Sequence, residues 1–195
     1  MKNNQVTLSG CIVSKFTYSH EVFGEKFFTA YVTATRTSET IDLLPVLFSE
    51  RIIDTNADYI GMAINITGEF RSYNQPGETR NHLLLYIFVL DYQWADYIEN
   101  INSAFLEGFL CKPPIYRKTP LGREIADVLL AVNRPYGKSD YIPCICWGRN
   151  ARFAEGFQVG EHIRFWGRIQ SREYTKNEEK KIAYELSVSK LEVIE

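Results

Sequence analysis

Aromatic side chains in the second half of the chain are spaced to share one face of a β-strand. With the two-residue period of a strand, Tyr141 and Trp147 fall on the same side of residues 141–147. Pro143 and Ile145 lie between them on that side. The opposite side is apolar and carries Ile142, Cys144 and Cys146. Exposed rings on a sheet can stack on unpaired bases, so the spacing predicts that the tyrosine and the tryptophan face solvent.

A second predicted strand, which ends at Tyr174, adds guanidinium groups to the same kind of face. Arg168, Arg172 and Tyr174 lie on one side of it. Gln170 shares that side, whereas Ile169 faces the other way. We interpret the arginine side as the solvent side. Rings for bases and cations for phosphates together predict a surface for single-stranded nucleic acid.

The charge of the chain is distributed unevenly between its halves. Residues 1–101 contain 7 Lys and Arg against 12 Asp and Glu, a net charge of −5. Residues 102–195 contain 15 against 12, a net charge of +3, and the halves sum to the overall −2. Because phosphate neutralisation supplies most non-specific affinity for nucleic acid, we expect such a partner at the second half.

The composition is that of an ordinary globular protein, with 45% apolar and 24% charged residues. No apolar run reaches the roughly 18 residues that a membrane helix needs, and the N-terminus lacks a signal-peptide core. These features predict a cytoplasmic protein, associated with the nucleoid if it binds DNA, and no membrane partner.

Catalysis is not predicted. The three histidines do not cluster with carboxylates, and there is neither a Walker-type phosphate loop nor a GxSxG elbow. Cys144 and Cys146 are two apart on a strand and are interpreted as core residues, not as metal ligands. The sequence therefore predicts no enzyme, no cofactor, no metal and no small-molecule substrate.

The chain repeats itself once. A shift of 98 residues, and of 99 after one insertion, superposes residues of the same type in the same order. The pairs are Gly10 and Gly108, Gly24 and Gly122, Arg36 and Arg134, Asp42 and Asp140, Gly68 and Gly167, and Ser72 and Ser171. This predicts two duplicated domains, residues 1–98 and 99–195.

Each copy reads as about five strands with one short helix between the third and fourth. The helix is predicted within residues 50–61 of the first copy and within 149–156 of the second, and a turn-rich loop is predicted at 74–78. This order is expected of an OB barrel. A sandwich and an SH3-like barrel stay open as alternatives. The predicted fold class is all-β, with two tandem OB-fold five-stranded barrels.

Several motifs of the second copy, in order, resemble the bacterial single-stranded DNA-binding protein family. They cover most of residues 102–192. The motifs are residues 119–122 (TPLG), 130–136 (LAVNRPY), 140–143 (DYIP), 147–149 (WGR) and 167–174 (GRIQSREY).

The resemblance implies an OB domain that wraps single-stranded DNA without reading its sequence. The stacking rings of the family would fall on Tyr136, Tyr141, Trp147 and Tyr174. Its phosphate contacts would fall on Arg117, Arg134, Arg149, Arg168 and Arg172. Weaker contacts are assigned to Arg36, Arg71, Tyr73 and Lys176.

The first copy departs from this pattern. Ser38, Leu43 and Ser49 stand where the second copy has Tyr136, Tyr141 and Trp147. We therefore expect a degenerate, structural domain that acts as a built-in partner to the second. The resemblance also implies self-association, with a homodimer supplying four OB folds. The family's acidic C-terminal tip has no counterpart before Glu195, so recruitment of enzymes by that route is not expected.

The function implied is sequence-independent binding and protection of single-stranded DNA in replication, recombination or repair. Two alternatives stay open. One is an OB-fold protein-interaction accessory of a primosome or recombination complex. The other is a single-stranded RNA binder, because stacking tolerates either sugar.

Overall fold

Alternating apolar and polar residues produce strands along most of the chain. The computed structural model describes residues 2–75 and 82–194. The strands of the first half are β1 (Asn4–Ile12), β2 (Thr17–Val22), β3 (Glu25–Thr35), β4 (Ile41–Ser49), β5 (Ala63–Gln75) and β6 (His82–Ala95). Those of the second half are β7 (Asn102–Leu110), β8 (Ile115–Lys118), β9 (Glu124–Arg134), β10 (Lys138–Trp147), β11 (His162–Lys176) and β12 (Glu179–Ile194).

The first half closes into a barrel because β1 pairs with two strands. It is antiparallel to β5 and, at its end, to β3, where Cys11 lies opposite Thr33. β3 continues to β4, β4 runs parallel to β6, and β6 neighbours β5. Five strands therefore form a closed circuit. β2 lies outside the circuit as a hairpin partner of β3, a sixth strand that the sequence pattern did not separate.

The second half repeats this topology. β7 pairs with both β11 and β9, β9 with β10, β10 in parallel with β12, and β12 with β11. β8 is the short hairpin partner of β9. The interior of this barrel is apolar and includes Leu106, Leu130, Ile142, Phe165 and Leu186. Two closed five-stranded barrels confirm the predicted all-β, tandem OB-fold class.

The chain divides into two compact units that do not follow the repeat boundary alone. One unit contains Val6–Phe70 and Leu85–Asn102. The other contains Ser103–Glu195 together with Met1–Gln5 and Arg71–Leu84, as far as these ranges are described. Short pieces of the first copy thus belong to the compact unit of the second barrel. The domain boundary between residues 98 and 99 stays a prediction.

Only one of the two predicted helices is found in the described residues. Helix α1 (Arg149–Ala154) lies where the second copy predicts it. The helix predicted within residues 50–61 is wrong, because these residues form turns and bends. The carboxylates of Asp54 and Asp58 accept the backbone N–H groups of Asn56 and Ile60, each at 3.0 Å. Such Asx turns offer the backbone an alternative to helical hydrogen bonds.

Aromatic rings of the first half pack together beside this turn segment. The Tyr92 hydroxyl donates to the carbonyl of Ile52 at 3.2 Å, and partial burial raises the pKa of that hydroxyl. Phe48 meets the Tyr92 ring edge-on, with centroids 5.7 Å apart. The remaining rings of this cluster are Phe16, Tyr59 and Trp94. Residues 50–61 therefore form turns beside this ring cluster, where the sequence predicted a helix.

Two cysteine interpretations can be judged from burial. Cys144 and Cys146 are both buried, which confirms them as core residues. Burial raises the pKa of the Cys144 thiol well above its usual range and that of Cys146 to about 12. Both thiols are therefore protonated at neutral pH and are poor nucleophiles.

Two further expectations concern the loop and the membrane. Of the predicted loop at 74–78, residues 74 and 75 belong to β5, and residues 76–78 lie outside the described residues. In the described part of the chain, neither helical segment combines the length and the apolar character that crossing a bilayer requires.

Repeated glycines mark where strands approach too closely for a side chain. A Cβ atom on Gly10 would overlap the carbonyl oxygen of Thr33, and one on Gly108 would overlap that of Ala131. Both contacts lie where the first strand of a barrel closes onto its third. The repeat of glycine at this position therefore follows from barrel closure.

We expect Gly108→Ala to lower the free energy of unfolding by about 1–3 kcal/mol, because the added methyl group must displace backbone. Gly156→Ala is the matched control, since its Cβ would lie 3.6 Å from the nearest atom, the Phe153 carbonyl oxygen. Urea titrations of both variants measure the difference. Equal stability of the two would contradict the closure argument.

Candidate nucleic-acid interface

Strand β10 separates an apolar inner face from an outer face that carries rings. Ile142, Cys144 and Cys146 are all buried, as predicted. Tyr141 is 41% exposed on the other face. Ile145 belongs to the outer face by spacing but is buried, at the point where β10 pairs with β12. The accessible part of this face is therefore interrupted at Ile145, with Tyr141 and Pro143 on one side of it and Trp147 on the other.

Trp147, at the far end of β10, is held in place by its own ring nitrogen. Its Nε1–H donates to the hydroxyl of Ser187 on β12 at 3.0 Å. The side chain is partly exposed. A ring with a fixed edge and an accessible remainder loses little rotamer freedom when a base stacks on it.

Tyr136 is presented by the turn between β9 and β10. It lies in the 3-10 turn Pro135–Gly137 with φ at +65° and ψ at +31°. Its side chain is 99% exposed. Left-handed backbone is uncommon for a bulky residue and costs on the order of 1 kcal/mol. The turn directs a whole ring into solvent at the start of β10.

The β11 side with arginines is only partly a solvent face. Gln170 is 2% exposed and donates to Glu185 Oε1 at 3.0 Å, so its prediction as solvent-facing is wrong. Glu185 is buried on β12, and it accepts hydrogen bonds from the side chains of Gln170 and Arg172. Arg172 donates to both oxygens of Glu185, at 3.0 and 3.3 Å, and this hydrogen bonding raises the arginine pKa. Tyr174, further along, is 37% exposed.

Several predicted phosphate contacts are already engaged with carboxylates. Arg134 Nε lies 3.0 Å from Oδ2 of Asp140, whose side chain is fully buried. Arg117 Nε donates to Asp127 at 3.0 Å, and both of those side chains are partly exposed. A paired guanidinium has other N–H groups left for a phosphate but offers less net charge.

The other predicted cations are placed differently. Arg168 donates to Gln170 Oε1 at 3.4 Å and is partly exposed. Lys176 is exposed at the end of β11. Arg149 is exposed at the start of α1, and within the described ranges it forms no carboxylate pair. It is therefore the predicted arginine whose charge is least compensated.

The first copy keeps the arginine–aspartate pair without the rings. Arg36 donates to both oxygens of the buried Asp42, at 2.7 and 2.6 Å. Ser38 is exposed and Ser49 is buried. Leu43, which replaces Tyr141, is 37% exposed. The shared pair is thus a feature of both barrels, whereas rings at the positions of Tyr136, Tyr141 and Trp147 are found in the second copy alone.

Ser72 is a contact that the sequence reasoning missed. Its backbone N–H donates to Asp140 Oδ1 at 2.8 Å, and its hydroxyl accepts the backbone N–H of Tyr141 at 2.8 Å. Arg71 and Tyr73 flank it on β5, and Tyr73 is 44% exposed. The repeat of this serine as Ser171 was the only signal in the sequence.

The arrangement of side chains favours a binding site over a catalytic site. No group of three or more His, Cys, Asp or Glu side chains is arranged to hold a metal ion within residues 2–75 and 82–194. A closed five-stranded barrel with exposed rings on the outer face of one strand and arginines nearby is typical of OB-fold proteins that bind oligonucleotides or oligosaccharides. This defines the class of the protein.

Comparisons with known proteins narrow the class to a family. The model of the single-strand binding protein family matches residues 101–194. The single-stranded DNA-binding protein B of Bacillus subtilis is 38% identical over 85 residues, which cover 40% of this chain and 74% of that protein. A single-stranded DNA-binding protein of Halalkalibacterium halodurans is 35% identical over 89 residues, which cover 42% of this chain and 53% of that protein. The chain belongs to the single-strand binding protein family.

The matched relatives and the similar structure differ in how much of each chain the similarity covers. The chain spans about half the length of the first curated relatives it matches, as the 53% above illustrates. The wild-type single-stranded DNA binding protein from Thermus aquaticus is similar over 98% of this chain and 93% of its own, with a TM-score of 0.76. At 18% identity, that likeness shows the tandem fold alone.

We expect Arg134→Gln to lower the free energy of unfolding by about 1–3 kcal/mol, because it leaves the buried carboxylate of Asp140 without its cation. Arg149→Gln, at an exposed position, should change it by less than about 0.5 kcal/mol. Chemical denaturation compares the two. A small effect of both substitutions would show that the Arg134–Asp140 pair does not stabilise the barrel.

Proposed function

We propose that this protein binds and protects single-stranded DNA without reading its sequence, in replication, recombination and repair. The observation that supports this best is the exposure of rings on one barrel. Tyr136 is 99% exposed, Tyr141 41% and Tyr174 37%, and Trp147 is partly exposed. Membership of the family agrees with this proposal.

The binding chemistry follows from the surroundings of these rings. Every base has a flat face, so stacking on tyrosine and tryptophan contributes about 1–3 kcal/mol per base whatever the base is. Arg149, Arg168 and Lys176 supply cations for phosphates, and Arg117, Arg134 and Arg172 add donors next to their carboxylates. Binding should therefore tolerate any sequence and weaken as salt rises.

The two halves have unequal roles in this proposal. Residues 99–195 carry the strand-binding domain, and residues 1–98 form a degenerate domain with a structural role. The net charges of −5 over residues 1–101 and +3 over 102–195 support that division. Arg36 is paired with the buried Asp42, so we expect it to contribute at most a weak contact with DNA.

We extend the proposal to assembly and location. A homodimer would supply four OB folds, and sedimentation at micromolar concentration that shows monomer alone would contradict it. The protein would act in the cytoplasm, at the nucleoid, as a binding protein without catalysis.

The direct test is titration of the full chain with oligothymidine while tryptophan fluorescence is followed. We expect quenching, and we expect Trp147→Ala combined with Tyr174→Ala to weaken binding at least 10-fold, because two stacking platforms are lost. Affinity should fall linearly with the logarithm of salt concentration, with a slope of about −0.7 per phosphate contacted.

Matched controls separate stacking from general damage. Tyr97→Ala removes a tyrosine that is 69% exposed outside the proposed surface, and it should leave affinity unchanged. Tyr136→Ala should weaken binding about 5-fold or more. Equal affinity for oligouridine would support the RNA alternative. A full chain that binds neither polymer would reject the proposal and favour the protein-interaction alternative.

A further inference from the structure

Strand β12 lies between two of the strands that carry the proposed surface. In the sheet it is next to β11 on one side and next to β10 on the other. Glu185 and Ser187 are two positions apart on β12, so their side chains share one face. They lie opposite Gln170 and Arg168 of β11. Glu185 is 3% exposed and Ser187 is 7% exposed, so neither side chain is accessible to a DNA strand.

Glu185 holds the guanidinium of Arg172 through two hydrogen bonds. Arg172 donates from Nε and Nη2 to the two carboxylate oxygens, at 3.0 and 3.3 Å. A contact with both oxygens fixes the plane of the guanidinium. Three of the five N–H groups of an arginine are not used by such a contact, and the Arg172 side chain is 38% exposed. A phosphate would therefore meet donors that are already oriented.

The influence of Glu185 extends to a second arginine through Gln170. The amide nitrogen of Gln170 donates to Glu185 Oε1 at 3.0 Å. Because the carboxylate can only accept, it orients the amide with its oxygen away from Glu185. That oxygen accepts a hydrogen bond from Arg168 Nη2 at 3.4 Å. One buried carboxylate thus orients two guanidinium groups of β11.

Ser187 does for a ring what Glu185 does for the guanidinium groups. Its hydroxyl accepts the Nε1–H of Trp147 at 3.0 Å, while the indole stays partly exposed. The hydrogen bond fixes one edge of the ring before any base stacks on it. The two buried polar side chains of β12 therefore each restrain a side chain of a neighbouring strand.

The closure of each barrel shows which residues of the first copy occupy these positions. A Cβ atom on Gly167 would overlap the carbonyl oxygen of Ser187. A Cβ atom on Gly68, the repeat of Gly167, would overlap the carbonyl oxygen of Phe88. Phe88 therefore occupies the place of Ser187, and Tyr86, two residues earlier, occupies the place of Glu185.

The first copy lacks both the restrained side chains and their acceptors. The residues Trp147, Arg172, Ser187 and Glu185 of the second copy correspond to Ser49, Tyr73, Phe88 and Tyr86 of the first. A closed barrel of this topology therefore forms without these contacts. The arginine pair with a buried aspartate, in contrast, is present in both barrels. The contacts of β12 accordingly follow the proposed binding surface and not the barrel fold.

We propose that Glu185 and Ser187 are positioning residues of the strand-binding surface. Glu185 holds the arginines of β11, and Ser187 holds Trp147, in the orientation in which single-stranded DNA meets them. This inference rests on the proposed function. It assigns a role in binding to a strand whose own side chains at these positions do not touch the DNA.

A positioning role for Glu185 has the opposite sign to its electrostatic effect. A carboxylate repels phosphates, so removing its charge should by itself strengthen the binding of DNA. If Glu185 positions Arg172, removing the carboxylate should instead weaken binding, because the guanidinium must then be ordered when DNA binds. The direction of the change therefore distinguishes the two effects.

Glu185 is tested in the full chain with labelled oligothymidine, by fluorescence anisotropy at several salt concentrations. Glu185→Gln should weaken binding about 3-fold or more. Glu185→Asp keeps the charge but shortens the reach, and it should weaken binding as well. In an Arg172→Gln background, Glu185→Gln should cost less than in the wild type, because one of its two guanidinium groups is gone.

Glu107→Gln is the matched control for Glu185→Gln. Glu107 accepts a hydrogen bond from Arg164 at 2.7 Å in the same compact unit, and that arginine is not assigned to the proposed surface. The substitution removes the same charge from an arginine of β11. It should not weaken the binding of oligothymidine.

Ser187 is tested by a second comparison in the same assay. Ser187→Ala should weaken binding about 2-fold or more in the wild-type background. In a Trp147→Phe background it should add little, because phenylalanine has no N–H to hold. Ser187→Thr keeps the hydroxyl and should bind like the wild type. Ser9→Ala is the control, since it removes a buried hydroxyl that accepts the N–H of Glu99 in the other compact unit.

The outcomes separate this inference from the proposed function. A wild-type chain that does not bind oligothymidine contradicts the proposed function itself. If the wild type binds, and Glu185→Gln and Glu185→Asp bind at least as tightly, Glu185 does not position the arginines. Equal losses from Ser187→Ala in both backgrounds would overturn the role of Ser187. Thermal melts establish that each variant compared is folded at the assay temperature.

Discussion

The second barrel and its surface depend most on the interactions of one buried carboxylate, that of Asp140. Removing a charge from water is costly unless donors surround it. Here the compensation comes from separate segments: the guanidinium of Arg134 on β9 lies 3.0 Å from Oδ2 as an ion pair, and the backbone N–H of Ser72 on β5 donates to Oδ1. The three segments are therefore held in register with each other. Tyr141 follows Asp140 directly, so these contacts also fix the position of the Tyr141 backbone.

The exposed rings of this unit are supported by different local means. Trp147 is tethered through its ring nitrogen to Ser187, whereas Tyr136 is directed outward by a left-handed backbone turn. Tyr141 depends on the contact with Ser72. The hydrogen bond of Trp147 restrains the ring itself, whereas at Tyr136 and Tyr141 it is the backbone that is fixed. A ring restrained as Trp147 is loses less conformational entropy when a base stacks on it.

The sequence predicted the barrels well because alternation and repetition are local signals. The apolar side of β10 is buried as expected, and the repeated glycines lie at the closures of the barrels. Prediction failed where side chains compete for partners. Asp54 and Asp58 form turns in place of a helix, and Glu185 draws Gln170 inward from a face read as solvent. Spacing alone carries no information about which carboxylate faces which donor.

Composition, period and repeat by themselves determined the fold class, the duplication, and which half carries the positive charge and the rings on the outer face of β10. These properties depend on the order of residue types along one chain segment. Only the tertiary structure decided that Arg134 and Arg172 are paired with buried carboxylates, and that Ser72 belongs to the unit of the second barrel. Those contacts join residues 6, 13 and 68 positions apart, and their partners are chosen by burial and hydrogen-bond geometry.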